Sequence, residues 1–167
     1  MHPPAKALVP PSLGVRSEAD DDLFKTVVPP DARIRTLLYI EDNASNLRLI
    51  ERLVDHRPNI QLLSAMQGGL GIELARTHHP DLILLDLQLP DMQGDQVLAT
   101  LRSDPSTSTV PVIVLSADAT DRQIRRLLDA GAAEYLTKPV NLARLLEVLD
   151  EHIGGTGDQR SVSLDQG

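Results

Sequence analysis

The sequence contains no cysteine and no tryptophan, and only one phenylalanine and two tyrosines in 167 residues. Without cysteine there are no disulfides, no thiolate metal ligands and no thiol catalysis; the absence fits a reducing compartment, so a cytoplasmic location is expected. With aromatics so scarce, any core must be aliphatic. No apolar run approaches the ~20 residues needed to cross a bilayer, and the N-terminus lacks the basic region and apolar stretch of a signal peptide. Positive charge is also short, with 16 Lys and Arg against 24 Asp and Glu, a net charge of -8. The deficit is local: 17 acids face 10 bases between Thr36 and Ile153, whereas the first 35 residues balance at 5 and 5. A domain this acidic is a poor direct partner for nucleic acid or an anionic membrane.

What is present is enough for one folded domain, since 41% of the residues are hydrophobic. Six of the 12 prolines lie in residues 1–35, which read as a flexible proline-rich arm. Within it, Asp20-Asp21-Asp22-Leu23-Phe24 reads as a solvated linker. Residues 154–167 read as a disordered tail. The domain is expected over 36–153. Neither flank has the makings of a DNA-binding unit, so the domain is expected to act through protein partners.

Between the flanks, short aliphatic runs alternate with helical patterns. Strands are expected at Thr36–Ile40, Ile60–Ser64, Leu82–Leu85, Val112–Leu115 and Glu134–Leu136. Several are continuous apolar runs, as in strands covered on both faces. Helices are expected at Ser45–Asp55, Gly69–Thr77, Gln96–Arg102, Asp121–Asp129 and Leu142–His152. The last shows an apolar stripe through Leu142, Leu145, Leu146, Leu149 and Ile153, with Asn141 as its N-cap. Five such βα units imply an α/β fold, a single doubly wound parallel sheet with helices on both faces. Ligands of such sheets sit at the carboxyl ends of the strands.

Those ends carry the chemistry. The first strand runs LLYI into Glu41-Asp42, the third ends at Asp86, the fourth at Ser116, and the fifth leads to Thr137-Lys138-Pro139. If the first, third, fourth and fifth strands are neighbours, three carboxylates, a hydroxyl and an ammonium converge. Two like charges 4 Å apart repel by about 4 kcal/mol at an effective dielectric near 20. One lysine does not balance three acids, and a divalent cation would. Only oxygen ligands are on offer, which favours Mg²⁺, an ion often completed by a phosphate. Asp86, central and single, is then placed as a nucleophile toward phosphorus, with Lys138 neutralising charge on the transferring group and Ser116 donating to it.

At this point the chain resembles the receiver domain of bacterial response regulators, over about Thr36 to Ile153. The residues that carry the resemblance are Glu41-Asp42, Asp86 in DLQLPDMQG, Ser116 in VIVLSA, Tyr135 in EYLTKP, and Lys138-Pro139. The stretch YIEDNASNLRLIERL is most similar to receivers attached to hybrid sensor kinases. The resemblance implies the strand order 2-1-3-4-5. It implies that Asp86 accepts a phosphoryl group from a histidine kinase or histidine phosphotransfer protein. Asp42, Asp86 and the Gln88 carbonyl would ligate Mg²⁺, and Glu41 would act on the ion through a water. The Lys138-Pro139 bond would be cis. Ser116 would move toward the phosphate and Tyr135 would turn inward, changing how the face of helix 4, strand 5 and helix 5 meets a downstream protein or a second copy. Ser116 stands where threonine is commoner. Asn43, Gln88 and Asp118 occupy positions that set access of water to phosphorus.

Other readings stand beside this one. A haloacid-dehalogenase-like phosphohydrolase also uses a strand-end aspartate, Mg²⁺ and a lysine, but wants a second acid where Gln88 stands. A protein-interaction module that is never phosphorylated is the third. Alone, the acidic pair reads as a solvated helix start and Tyr135 as packing; Thr137 reads as structural. Gly69-Leu70-Gly71 lacks the third glycine of a dinucleotide loop and reads as lowered helix propensity, with a loose helix start. His78-His79 read as a surface connection. Arg122, Arg125 and Arg126 read equally as a solvated basic face or a contact for an acidic partner.

Overall fold

The computed structural model describes residues 33–154. The expectations for the proline-rich arm, the Asp20–Phe24 stretch and the C-terminal tail lie outside the described residues, apart from the arm's last three residues and the tail's first. Arg35 belongs to the first strand, and the Gly154 N–H donates to the Leu149 and Asp150 carbonyls at the end of the last helix.

Five strands alternate with five helices: β1 (Arg35–Ile40), α1 (Ala44–Asp55), β2 (Ile60–Ala65), α2 (Gly68–His78), β3 (Leu82–Asp86), α3 (Gly94–Ser103), β4 (Val112–Ser116), α4 (Asp121–Asp129), β5 (Glu134–Thr137) and α5 (Leu142–His152). Each expected element is present. Each strand is one residue longer than expected: β3, β4 and β5 continue into the polar residues Asp86, Ser116 and Thr137, β2 continues into Ala65, and β1 starts one residue earlier, at Arg35. The strands form one parallel sheet in the order β2-β1-β3-β4-β5.

The aliphatic runs are continuous because both faces of the sheet are covered. On one face Leu38, Ile40, Ile83, Leu85, Val112 and Val114 pack under α2, α3 and α4. On the other, Leu37, Tyr39, Leu82, Leu84, Ile113 and Leu115 pack under α1 and α5. All of β3 and β4 is buried. The register then fixes where the polar ends fall. Ile40 is level with Leu85, Asp86 with Leu115, and Ser116 with Thr137. Glu41, Asp86, Ser116 and Lys138 therefore leave the sheet along one edge.

The helices are anchored by local chemistry. The Asn43 side chain caps α1, accepting from the N–H groups of Ser45 and Asn46 at 2.9 and 3.2 Å, and Asn141 caps α5 at 3.1 Å. At the start of α3 the Gln96 side chain reaches back and accepts from the Gln93 N–H at 3.2 Å. The Arg102 guanidinium, at the end of α3, donates to the carbonyls of Gly131, Ser108 and Val110. It pins two loops at the sheet's lower edge. Thr107, wholly buried, donates to the Leu101 carbonyl. His78 ends α2 and His79 follows in the left-handed conformation at φ 46°, both exposed. Among the described residues, no helix is long and apolar enough to cross a membrane.

The glycines of α2 have a role that propensity alone hides. A Cβ on Gly71 would lie 2.4 Å from the Ile40 side chain, and one on Gly68 would lie 2.6 Å from Met92 and 2.7 Å from Val97. Their small size lets α2 settle against the end of β1 and the start of α3. Alanine at Gly71 would add up to ~1 kcal/mol of helix propensity. Forcing a methyl into a filled core costs about 1–3 kcal/mol. Gly71→Ala is therefore expected to lower the stability found by urea unfolding, by up to about 2 kcal/mol.

Candidate functional site: an acidic pocket at the strand ends

The sheet edge brings Glu41, Asp42, Asp86 and Lys138 together. One carboxylate oxygen from each of Glu41, Asp42 and Asp86 lies within 4.8 Å of the others. Glu41 is 1% exposed and Asp86 4%, whereas Asp42 lies open at the rim. Lys138 reaches across from the end of β5, with Nζ 3.0 Å from Glu41 Oε2 and 3.2 Å from Asp86 Oδ1. The Lys138–Pro139 bond is cis.

Three donors that the sequence did not announce hold the buried acids. Tyr39 lies two residues before Glu41, on the same side of β1, and its hydroxyl donates to Glu41 Oε2 at 2.9 Å. The Asn43 N–H donates to Glu41 Oε1 at 3.1 Å, and the Gln88 N–H to Asp86 Oδ1 at 3.3 Å. The strand alternation contained the Tyr39 signal, but an aliphatic neighbourhood made Tyr39 look like core alone.

The charges respond unequally. Burial pushes Glu41 up, yet the hydrogen bonds from Lys138 and Asn43 outweigh it, so its carboxyl stays below the usual range. Burial and the Glu41 charge push Asp86 above its ordinary value, against the pull of Lys138 and the Gln88 N–H. Burial alone would lower Lys138; Glu41 and Asp86 hold it above its ordinary value. Burial and Glu41 raise the Tyr39 phenol, which keeps its proton.

Ser116 ends β4 beside the pocket, and its hydroxyl oxygen accepts from the Asp118 N–H at 3.1 Å. Tyr135, half-buried against the core, donates its hydroxyl to the Asp118 carbonyl. Asn43, Gln88 and Asp118 are exposed around the mouth. Asp118 is held below its usual range by hydrogen bonds from Thr120. Arg122 and Arg125 are exposed on α4, and Arg126 pairs with Asp95 of α3 at 3.0 Å. A second group of possible ligands, Glu134, Glu151 and His152, has Arg144 among its acids, ion-paired to Glu134 and Glu151. Both acids of this group already have a guanidinium partner.

The donor set fits a hard divalent cation. Three clustered carboxylates against one ammonium leave two negative charges uncompensated, and every ligand on offer is oxygen. Asp42, at the rim and without a cationic partner among the described residues, is the acid most open to an ion arriving from solvent.

Comparison with known proteins agrees with this geometry. A profile of the response regulator receiver domain matches residues 37–150. The chain belongs to the response regulator receiver domain family. It is 32% identical over 120 residues to the polar-differentiation response regulator DivK of Brucella ovis, covering 72% of this chain and 97% of that one. Among solved structures it is similar to the receiver domain of a sensor histidine kinase from Pseudomonas aeruginosa PAO1, which carries a magnesium ion coordinated in its active-site cleft. That match has a TM-score of 0.64 at 29% identity, covering 72% of this chain and 98% of that one. The phosphorylated cyanobacterial phytochrome response regulator RcpA gives a TM-score of 0.61 at 30% identity, covering 76% and 99%.

The raised Asp86 makes a prediction about metal-free protein. Its folded pKa stands above the unfolded value, so the ionised carboxylate destabilises the fold at neutral pH. That penalty is full above the folded pKa and gone below the unfolded one, near 3.8. Asp86→Asn is therefore expected to melt higher than wild type at pH 7 in EDTA, with the gap closing as the pH falls through the acidic range. Thermal melts across pH measure it. Tyr39→Phe removes a buried donor from the ionised Glu41 and is expected to cost about 1.5–3 kcal/mol in urea unfolding.

Proposed function

We propose that this receiver domain accepts a phosphoryl group on Asp86 from a histidine kinase or a histidine phosphotransfer protein, and that phosphorylation changes how the α4–β5–α5 face engages a protein partner. The observation that carries the reading is the Lys138 bridge between two buried carboxylates, with a third at the rim. Such a pocket is short of positive charge until a divalent cation binds, and the cation with Lys138 can then meet an anionic phosphoryl group.

An Asp86 carboxylate oxygen attacks phosphorus of the donor phosphohistidine. The new O–P bond forms as the P–N bond breaks, and the imidazole leaves with the bonding pair and takes up a proton. Asp42 and Asp86, with the Gln88 carbonyl, would hold Mg²⁺, and Glu41 would act on the ion through a water. When bound, Mg²⁺ supplies neutralisation of charge on the phosphoryl oxygens. Lys138, already paired with Asp86, is placed to follow that charge onto the phosphoryl group. Tyr39 and the Asn43 N–H keep Glu41 ionised and oriented meanwhile. The raised pKa of Asp86 reflects burial and the neighbouring Glu41 charge, a cost that Lys138 offsets in part and that a cation would offset further.

The output side rests on the chain from the Ser116 hydroxyl through Asp118 to Tyr135. If the Ser116 hydroxyl turns to a phosphoryl oxygen, the Asp118 N–H loses its acceptor, and the carbonyl that holds Tyr135 is free to shift. Tyr135 then turns inward and the face changes. Asn43, Gln88 and Asp118 at the mouth set how readily water reaches phosphorus. The role is regulatory, in the cytoplasm, with self-catalysed phosphorylation and dephosphorylation only, and a second copy of the chain is a possible partner for the same face. A phosphohydrolase reading is less well supported, because Gln88 stands where the second acid should be.

The test is incubation with acetyl phosphate and Mg²⁺, followed by intact-mass measurement. Wild type is expected to gain one phosphoryl group, stable to acid and labile to base, and Asp86→Asn to gain none. Labelling that survives in the variant would place the acceptor elsewhere.

A further inference from the structure

The N-terminus of α2 has no cap of its own, since Gln67 stands at the cap position without a side-chain hydrogen bond. Its donors are satisfied from a distance. Asp91, in the loop between β3 and α3, accepts from the Gly68 N–H through Oδ1 at 2.8 Å and from the Gly69 N–H through Oδ2 at 2.9 Å. Both carboxylate oxygens are engaged, and these two bonds hold the Asp91 carboxyl below its usual range. The loop that carries Asp91 is the one that follows Asp86. It is closed at its base by the Gly94 N–H to the Leu87 carbonyl at 2.8 Å and by a bridge between Gln88 and Gln93. Met92, next to Asp91, packs against Gly68.

The other side of the same helix start touches the other half of the pocket. Gly71 sits against Ile40, the residue before Glu41. The Glu41 N–H donates to the Ala65 carbonyl at 2.9 Å, at the end of the strand that leads into α2. The first turn of α2 therefore spans the acidic pocket's two supports, Ile40–Glu41 on β1 and Gln88–Asp91 after β3.

We infer that Asp91 is a positioning residue for the acidic pocket: by capping α2 from the loop after Asp86, it fixes where Gln88 lies relative to Glu41 and Asp42. The inference rests on the phospho-acceptor reading of that pocket. It makes the helix cap and the metal site two ends of one coupling, and coupling between two equilibria is reciprocal. A loop held by Asp91 binds the ion better, and a bound ion holds the cap tighter.

A helix cap that served stability alone would behave differently, and the full chain allows the two to be separated. Asp91→Ala removes both bonds. Adding Gln67→Asp gives α2 a cap within its own sequence while leaving the loop untied. Mg²⁺ affinity is followed by NMR titration of the Gln88 amide and stability by thermal melting. Asp91→Ala is expected to melt lower and to bind Mg²⁺ on the order of tenfold more weakly, the usual loss for an outer residue that orients a metal site. The double variant is expected to regain melting temperature but not affinity. In wild type, hydrogen exchange at the Gly68 and Gly69 amides is expected to slow when Mg²⁺ is added.

Wild-type affinity in Asp91→Ala would overturn the inference, and so would affinity that returns with the melting temperature in the double variant. If Gln67→Asp does not restore melting, the exchange measurement decides: protection that Mg²⁺ leaves unchanged overturns it as well. A wild type that binds no Mg²⁺ at all would instead bring down the reading of the pocket on which this rests.

Discussion

The ammonium of Lys138 lies between two buried carboxylates, and the surrounding structure serves to keep it there. Glu41 and Asp86 come from different strands and are almost wholly withdrawn from water. Alone they would repel by several kcal/mol, and a fold would normally relieve that by protonating one. Lys138 lets both come close at 3.0 and 3.2 Å. The relief is partial and uneven. Glu41, with Tyr39 and the Asn43 N–H as further donors, is kept ionised, while Asp86 carries the remaining strain. The acid left least satisfied is thus the one proposed to react.

That asymmetry depends on the sheet. β3 and β4 are buried throughout, and their aliphatic side chains fill both layers. Such interiors are close-packed and of low compressibility, and they switch between discrete packings instead of deforming continuously. The strand ends are consequently rigid platforms, and the movable parts lie beyond them. Helix α4 illustrates the contrast: Leu127 is its one buried residue, whereas α5 buries Leu145, Val148 and Leu149. Elements with few buried contacts open at low free-energy cost. A face built from a lightly held α4 beside a firmly held α5 suits a proposed response that moves one helix and keeps the other.

The sheet was legible because its rules are local. Continuous aliphatic runs announced covered strands, and the apolar stripe of α5 with Asn141 before it announced that helix to the residue. The acid pocket was legible for a related reason: its members are the first polar residues after those runs, so register alone gathers them. What stayed hidden depends on distance in sequence. Tyr39 was indistinguishable from core filler until the hydroxyl met Glu41. Asp91 caps a helix that begins more than twenty residues earlier, and no spacing rule connects the two. The glycines of α2 read as weak helix formers because propensity is a single-helix property, whereas the reason for them is Ile40 and Met92.

The hidden features share one location. Tyr39 supports Glu41 from beneath, Gly71 lets α2 press on Ile40 beside it, and Asp91 ties the loop after Asp86 to the same helix. Each departs from the local optimum: a phenol among aliphatics, glycines inside a helix, a cap borrowed from another loop. Local rules are broken where a site must be held to a geometry that no single element would choose. Here the exceptions surround the acids and leave the rest of the sheet regular, as expected if the cost of assembling like charges is met by their immediate supports.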